Sequence, residues 1–503
     1  MAKGAKDPDG GLFPRDEAHK ENMKILYRNC FLPLSGERAF AVRDGWFAAP
    51  TPPFDGETDL KGAAVLPAFP DAHSHLLAYA LSLLQADGRD CAAAEEYIAC
   101  AETFARAHHL SENAFVTVKN ADRFPPPDAL DETPRPLHLQ ARSGHAGMFN
   151  AAARRVLKGV RAGALEETEY LAAAKRVPMP GTDAVFSAFA QAQDDYFAGG
   201  ISVAQEGLLS REMFPLYEAL LSRGCLRADV VAYPAPSDYD EALRRFPPHE
   251  KSRLHIGGMK IFFDGSPQQR TALLREPYRG GGYGTPTMTE READEACAFA
   301  AARSAQLLAH CNGDGAAERF LGALGRLSPA DRARIRPVLI HGQIIGDDQL
   351  SRAAALGVTV SFFPAHIRYW GETHLKNLGE ERAARISPAR SALTLGIPFT
   401  LHQDTPVCKP APLEAAACAI LRTTADGTRF RGQEISVRNA LLALTQNAAR
   451  QYGFADRGRI CTGMRADFLV CDRDPLALPP QELESVNIEA AYLDGARVFT
   501  RTR

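Results

Sequence analysis

Four histidines and one aspartate have the types and spacing that metal chemistry needs: His73, His75, His310, His341 and Asp404. His73-Ser74-His75 closes the apolar run AVLPAFPDAHSH. In an extended chain residues i and i+2 point to the same side, so both imidazoles can meet one centre. Two histidines at that spacing also arise by chance, and it is the company they keep that points to a metal. His310 closes SAQLLAH, His341 closes RPVLIH and Asp404 follows IPFTLHQ, at gaps of 31 and 63 residues. Those gaps are one and two times the roughly 31-residue unit of a ~250-residue eight-unit barrel. The spacing predicts the fifth, sixth and eighth strands of such a barrel, with GVTVSFFP as the strand between the last two. Taken singly, each residue is equally a buried hydrogen-bonded histidine or a helix N-cap aspartate. Together, at matching strand ends, they read as ligands of a catalytic metal.

Histidine and carboxylate without cysteine suit zinc, with manganese, iron or nickel as alternatives, and ligands drawn from distant strands leave a coordination position open. The expected chemistry is attack by a metal-bound hydroxide, with Asp404 as both ligand and proton carrier.

The elements that must position these residues follow from the texture of the chain. Strand-like runs alternate with helical ones: AVLPAFPDAHSH, LHLQARSGH, GISVAQEG, LRADVVAYP, LHIGGMKIFFDG, AQLLAHCNGDG, IRPVLIHGQ, GVTVSFFP and IPFTLHQD. That alternation predicts an α/β fold with parallel strands covered on both faces. Most of the runs end in a polar or ionisable residue, among them His145, Glu206 and Lys260, and the C-terminal strand ends of a (β/α)8 TIM barrel converge on one mouth. Nine candidates stand where a barrel needs eight, and strand assignment between about 115 and 265 is the least determined part. The β-rich ends, MKILYRNCFL and AFAVRDGWFAA at one and RADFLVCD and AAYLDGARVFT at the other, predict a small β-sandwich domain formed by the N- and C-terminal segments. The expected boundaries are a flexible leader at 1–22, the composite β domain at 23–67 plus 456–503, and the barrel at 68–455. A long insertion at roughly 78–200 is expected to shape a pocket.

Composition sets the limits. Among 503 residues, 58 basic side chains balance 61 acidic ones for a net charge of -3, with no charged block, which argues against nucleic acid as a partner. No apolar run reaches membrane-spanning or signal-peptide length, so a cytoplasmic protein with no membrane partner is expected. The ten cysteines are spread singly without a CxxC pair and read as reduced core residues, with Cys311, beside His310, as the one that can face the site.

At these residues the sequence resembles the amidohydrolase superfamily, and within it the branch of metal-dependent hydrolases that includes N-substituted formamide deformylase. The resemblance runs from about Met23 to Arg503 through LPAFPDAHSH, SGHAGMFNAAA, MKIFFDGSPQQRTA, AHCNGDGA, LIHGQ, HQDTPV and GRICTGMRADFLVCDRDPL. It implies that His73, His75 and Asp404 bind the more buried metal and that His310 and His341 bind a second. It places Lys260 where many members carry a carboxylated lysine bridging two ions; an unmodified lysine beside one ion is the alternative, and Glu206 is a substitute bridging group. His145 becomes a substrate contact or a strand-end cap. Arg270, on the loop with Asp264 and Ser266, becomes a fork for a substrate carboxylate or a solvated loop residue. His366 and Trp370 form a pocket wall or simply pack. His402 is a substrate contact or a support behind the ligands. Ala68 and the His402-Gln403 pair depart from the family's usual small residues without removing a ligand.

The activity these features imply is hydrolysis of a non-peptide C–N bond (amide, N-formyl or cyclic amide) in a small-molecule substrate, using one or two divalent ions, zinc first. A deaminase on the same barrel and a catalytically silent binding module are the alternatives. Homo-oligomers are common among such enzymes, but no feature of this sequence demands one.

Overall fold

The computed structural model describes residues 23–502 except 122, 143, 145 and 250. Its contacts divide the chain into two compact units, 1–75 with 193–503 and 76–192.

The first unit carries eight parallel strand positions. They are Phe69–Pro70, Ile201–Glu206, Asp229–Ala232, Leu254–Ile256 resumed as Gly258–Phe262, Gln306–Cys311, Val338–His341, Thr359–Phe362 and Phe399–Leu401, the first to the eighth. Each pairs in parallel with the next. The fourth breaks at Gly257, where a Cβ would lie 2.4 Å from Val231 Cγ1, so only glycine lets the strand pass that close. The eighth and first form no ladder among the described residues. Across that seam the His75 N–H donates to the Thr405 carbonyl at 2.8 Å.

These segments become buried strands because they are short, apolar and flanked by helix signals. In the fifth, five of six residues are buried, as expected for a strand covered on both faces. The helix before it, Glu290–Arg303, opens with Thr289 in a capping box with Glu292 and lays Ala293, Ala296, Cys297 and Ala300 against the interior. The helix before the seventh strand, Asp347–Leu356, stops at Gly357, whose φ of 71° is left-handed.

The chain ends build two further four-stranded sheets. One uses Lys24–Arg28, Phe40–Arg43, Trp46–Ala48 and Gly56–Asp59; the other uses Ala64–Pro67, Phe468–Cys471, Ile488–Leu493 and Ala496–Thr500. Both contribute to one apolar cluster, in which Tyr27 stacks on Phe40 at 4.9 Å and Phe468 on Tyr492 at 4.2 Å. Asp229, at the start of the third strand, meets Arg253 at 2.7 Å and also Arg457, which reaches Asp467 at 3.0 Å.

The second unit has its own five-stranded sheet and its own core around Tyr97, Val118 and Leu139. Here the strand expectation needs correcting. LHLQ, the ninth candidate, is Leu137–Gln140 and pairs antiparallel with Ala146–Phe149 within this unit, outside the parallel series. A short apolar run looks the same in either setting, because its period carries no information about its neighbours.

Among the described residues no helix is long and apolar enough to cross a membrane. The described cysteines are all free, and Cys311 is fully buried in the core. The leader at 1–22 lies outside the described residues.

Candidate metal centre

His310 is the penultimate residue of the fifth strand, His341 the last of the sixth, Asp404 follows the eighth by three residues, and the first leads into His73 and His75. Ligand atoms of His73, His341 and Asp404 lie within 4.8 Å of one another. Asp404 Oδ1 is 3.5 Å from His73 Nε2 and 3.7 Å from His75 Nε2, while Oδ2 is 4.0 Å from His341 Nε2. The His310 and His341 rings sit 4.6 Å apart, edge to face. One carboxylate therefore stands among three imidazole nitrogens, with a fourth imidazole beside them.

Backbone strain falls at the same place. His341 has φ 78° and Asp404 φ 53°, a region that side chains other than glycine rarely adopt and that costs of order 1–3 kcal/mol unless the surroundings hold it.

Hydrogen-bond partners determine which nitrogen of each ring is bare. Gln205 Nε2 donates to the Ala72 carbonyl at 3.0 Å and to the Tyr452 hydroxyl at 2.9 Å, which turns Gln205 Oε1 toward His73 Nδ1 at 2.6 Å. His73 therefore carries its proton on Nδ1 and presents a bare Nε2 to Asp404. Asp264 stands on the corresponding side of His310 without a hydrogen bond to it. Its Oδ1 lies 3.2 Å from His310 Nδ1, and the carboxylate is anchored by the N–H groups of Leu273, Asn312 and Gly313 at 3.0, 3.0 and 2.7 Å. On the other side of the ring, the Asn312 amide, oriented by the Gly265 carbonyl at 2.8 Å, approaches His310 Nε2 at 3.3 Å. Glu206 lies 3.8 Å from His75 Nδ1, the side of that ring away from Asp404, and accepts from the Tyr217 hydroxyl at 2.7 Å.

Burial keeps the imidazoles neutral. His73 and His341 are held well below the usual histidine value and His75 is lowered to about 3, in each case first by desolvation and then by neighbouring cations. Asp404 is raised to about 6 by burial, against the pull of Lys260. Lys260 is 1% exposed, with Nζ 3.4 Å from His73 Nε2, and burial lowers it to about 8. Imidazole nitrogens gathered around one carboxylate, from three strand ends in all, are a donor set that fits a divalent cation.

The remaining expected residues lie in different settings. His402 is fully buried, with Nε2 3.2 Å from His341 Nδ1 and Nδ1 2.8 Å from Ser361 Oγ, so both ring nitrogens have partners inside the protein. His366 packs between Phe363 and Trp370 at 4.8 Å from each, with its Nδ1 3.3 Å from His374 Nε2. Arg270 is exposed and ties its own loop together through the carbonyls of Arg279 and Gly281, at 3.1 and 2.5 Å. His145 lies outside the described residues. Asp314 and Glu318, which follow the fifth strand, are taken up by Arg275 and Arg352. Gln205 and Ser361 were not anticipated from the sequence. Their alternation with apolar neighbours in buried strands is a signal only once the strands are known to face a cluster of ligands.

Residues 56–499 match the amidohydrolase family. The chain belongs to that family. Its relatives include the putative amidohydrolase YtcJ of Bacillus subtilis, 25% identical over 89% of this chain and 91% of the relative. They also include the N-substituted formamide deformylase of Arthrobacter pascens, 24% identical over 88% of this chain and 90% of that enzyme. Among solved structures, a metal-dependent hydrolase from Pyrococcus horikoshii superposes with a TM-score of 0.78, covering 91% of this chain and 99% of its own, at 22% identity. That likeness supports a TIM-barrel type of α/β fold for this amidohydrolase-family chain, with the metal-side residues at the strand ends where such folds keep their chemistry.

Proposed function

We propose that this protein is a metal-dependent hydrolase that cleaves a non-peptide C–N bond, such as an amide, N-formyl or cyclic amide bond, in a small molecule. The observation that carries the reading is the convergence of His73, His75 and His341 on the Asp404 carboxylate, with His310 beside His341. Relatives named as an amidohydrolase and as a formamide deformylase set the bond class. In this reading His73, His75 and Asp404 hold one ion and His310 and His341 a second, zinc in the first instance. A bound divalent ion polarises a carbonyl oxygen and makes water a nucleophile near neutral pH.

The chain's own residues supply the rest. Asp404 lies at the centre of the cluster and is only 16% exposed, so it can take a proton from the attacking water and pass it to the departing nitrogen without competition from bulk solvent. Gln205 holds His73 with its Nε2 bare. Lys260, buried beside His73, would help hold two ions if its neutral amine added CO2 and released a proton to give a carbamate. Phe363, His366 and Trp370 pack on one another, and in this reading they would wall the substrate pocket. The β-rich ends form a composite domain that braces the barrel.

Elemental analysis of the purified full chain tests the proposal, with His73→Ala and Lys260→Ala alongside and turnover of a panel of N-formyl, amide and cyclic amide compounds. Near two metals per chain, falling in both variants, with hydrolysis of at least one compound, is the expected result. No metal after reconstitution with zinc or manganese overturns the reading, as does release of ammonia from a ring amine with no amide cleavage.

A further inference from the structure

His402 stands out because it is a fifth imidazole, set behind the ligands and joined to a serine at its far end. Its Nε2 lies 3.2 Å from His341 Nδ1 and its Nδ1 lies 2.8 Å from Ser361 Oγ. The ring is clamped in orientation: Phe363 lies along its face at 5.3 Å and 28°, and His73 meets it edge-on at 5.3 Å. His402 and Ser361 are both fully buried.

Two proton arrangements satisfy this chain. In one, His341 Nδ1–H donates to His402 Nε2 and His402 Nδ1–H donates to Ser361 Oγ, leaving His341 Nε2 bare toward Asp404. In the other, the serine hydroxyl donates to His402 Nδ1, His402 Nε2–H donates to His341 Nδ1, and His341 Nε2 carries the proton. Only the first leaves a nitrogen that can bind a cation, because an imidazole ligates through its unprotonated nitrogen and the partner of the other nitrogen sets the tautomer.

We propose that His402 and Ser361 are positioning residues that fix the tautomer and ring orientation of His341 and thereby set the protein's affinity for its metal. The inference rests on the metal-dependent reading above. It also accounts for the departure at HQDTPV, where His402 stands in place of a small residue. His341 sits at a left-handed φ of 78°, so its ring needs an anchor on the side away from Asp404, and His402 provides it. His73 receives the same service from Gln205. The His341 anchor differs in being a second imidazole that can reverse its donor and acceptor sides, so it commits to one tautomer only when the serine accepts.

The test strips the full chain of metal and titrates it with zinc alone against a chromophoric chelator. His402→Phe keeps a planar ring in the space but removes the acceptor, and His402→Gln restores an acceptor on a flexible stem. Zinc affinity is expected to fall about 10–100-fold in His402→Phe and to recover in large part in His402→Gln. Imidazole 15N shifts of His341 in the metal-free proteins should report the Nδ1-protonated tautomer in the wild type and a mixture in His402→Phe. Ser361→Ala removes only the terminal acceptor, and its affinity should drop about 2–10-fold; this variant carries the test if His402→Phe does not fold. Wild-type affinity in His402→Phe or Ser361→Ala, or a folded Gln variant no better than Phe, overturns the inference while leaving the hydrolase reading standing. A wild-type chain that takes up no zinc overturns both.

Discussion

Gly207 backs directly onto the imidazole of His73: a Cβ at position 207 would lie 2.6 Å from His73 Cε1 and 2.9 Å from the Ser74 carbonyl oxygen. Neither neighbour can yield cheaply, because the His73 ring is tied at Nδ1 to Gln205 and the Ser74 oxygen is backbone. Gly207→Ala should therefore displace His73 from Asp404. The expected outcome is loss of most metal binding and activity, at an overpacking cost of about 1–3 kcal/mol in denaturant unfolding. A variant that keeps its metal content and turnover would show that His73 has room to move.

Gln205 gives a test of tautomer control at a second ring. Gln205→Met keeps the length of the side chain and removes the acceptor that faces His73 Nδ1. Chelator competition should show zinc held about 10–100-fold less tightly. The same variant loses the donations to Ala72 and Tyr452, so its thermal midpoint should be recorded beside the affinity. If stability falls while zinc affinity does not, Gln205 acts as a core residue and not on the ligand.

Much of the centre could be read from spacing alone. His310, His341 and Asp404 fall at the fifth, sixth and eighth positions because a repeated strand and helix unit makes chain distance a measure of position around the sheet. The same logic misleads at LHLQ, since a strand in an inserted unit has the burial of a barrel strand without its neighbours. The supports were the least legible. Gln205, Ser361 and Asp264 act through contacts made across 132, 41 and about 46 residues of chain, and nothing local in GISVAQEG or GVTVSFFP says which ring each will meet. Arg270 shows the converse: a residue type suited to binding anions is occupied by carbonyls of its own loop.

Acid sensitivity should come from histidines outside the metal centre. Burial lowers His138 and His374 to about 3, so each stays neutral in the folded chain while its unfolded counterpart takes up a proton below about 6.5. The unfolded state then binds more protons, and stability is lost as pH falls from 6.5 toward 3, by about 1 kcal/mol per group per pH unit. Asp71 and Asp404, raised to about 6 by burial, act in the opposite direction below that pH, so the whole-protein slope mixes both signs. The comparison that isolates one group is His138→Phe against wild type in the metal-free chain. The urea midpoint of the variant should fall less between pH 7 and pH 5 than that of the wild type, and parallel pH profiles would show that His138 titrates normally.

The ion cluster at the start of the third strand is expected to govern stability and not chemistry. Arg457 is buried between Asp229 and Asp467, and its removal leaves two carboxylates in the interior with one cation fewer between them. Breaking a buried pair from one side costs about 3–5 kcal/mol, because the remaining charge has lost its partner and is still out of water. Arg253 and Arg465 also approach Asp229, which should hold the loss to the lower end of that range. Arg457→Met is therefore expected to lower the unfolding free energy by about 3 kcal/mol. Zinc stoichiometry and kcat of the folded fraction should be unchanged, because the N-terminal ends of barrel strands face away from the mouth where the ligands converge. Equilibrium unfolding with metal analysis on the same samples checks both halves. A variant of normal stability would mean that Arg253 and Arg465 neutralise the cluster on their own, and a stable variant that has lost its metal would place Arg457 in communication with the centre.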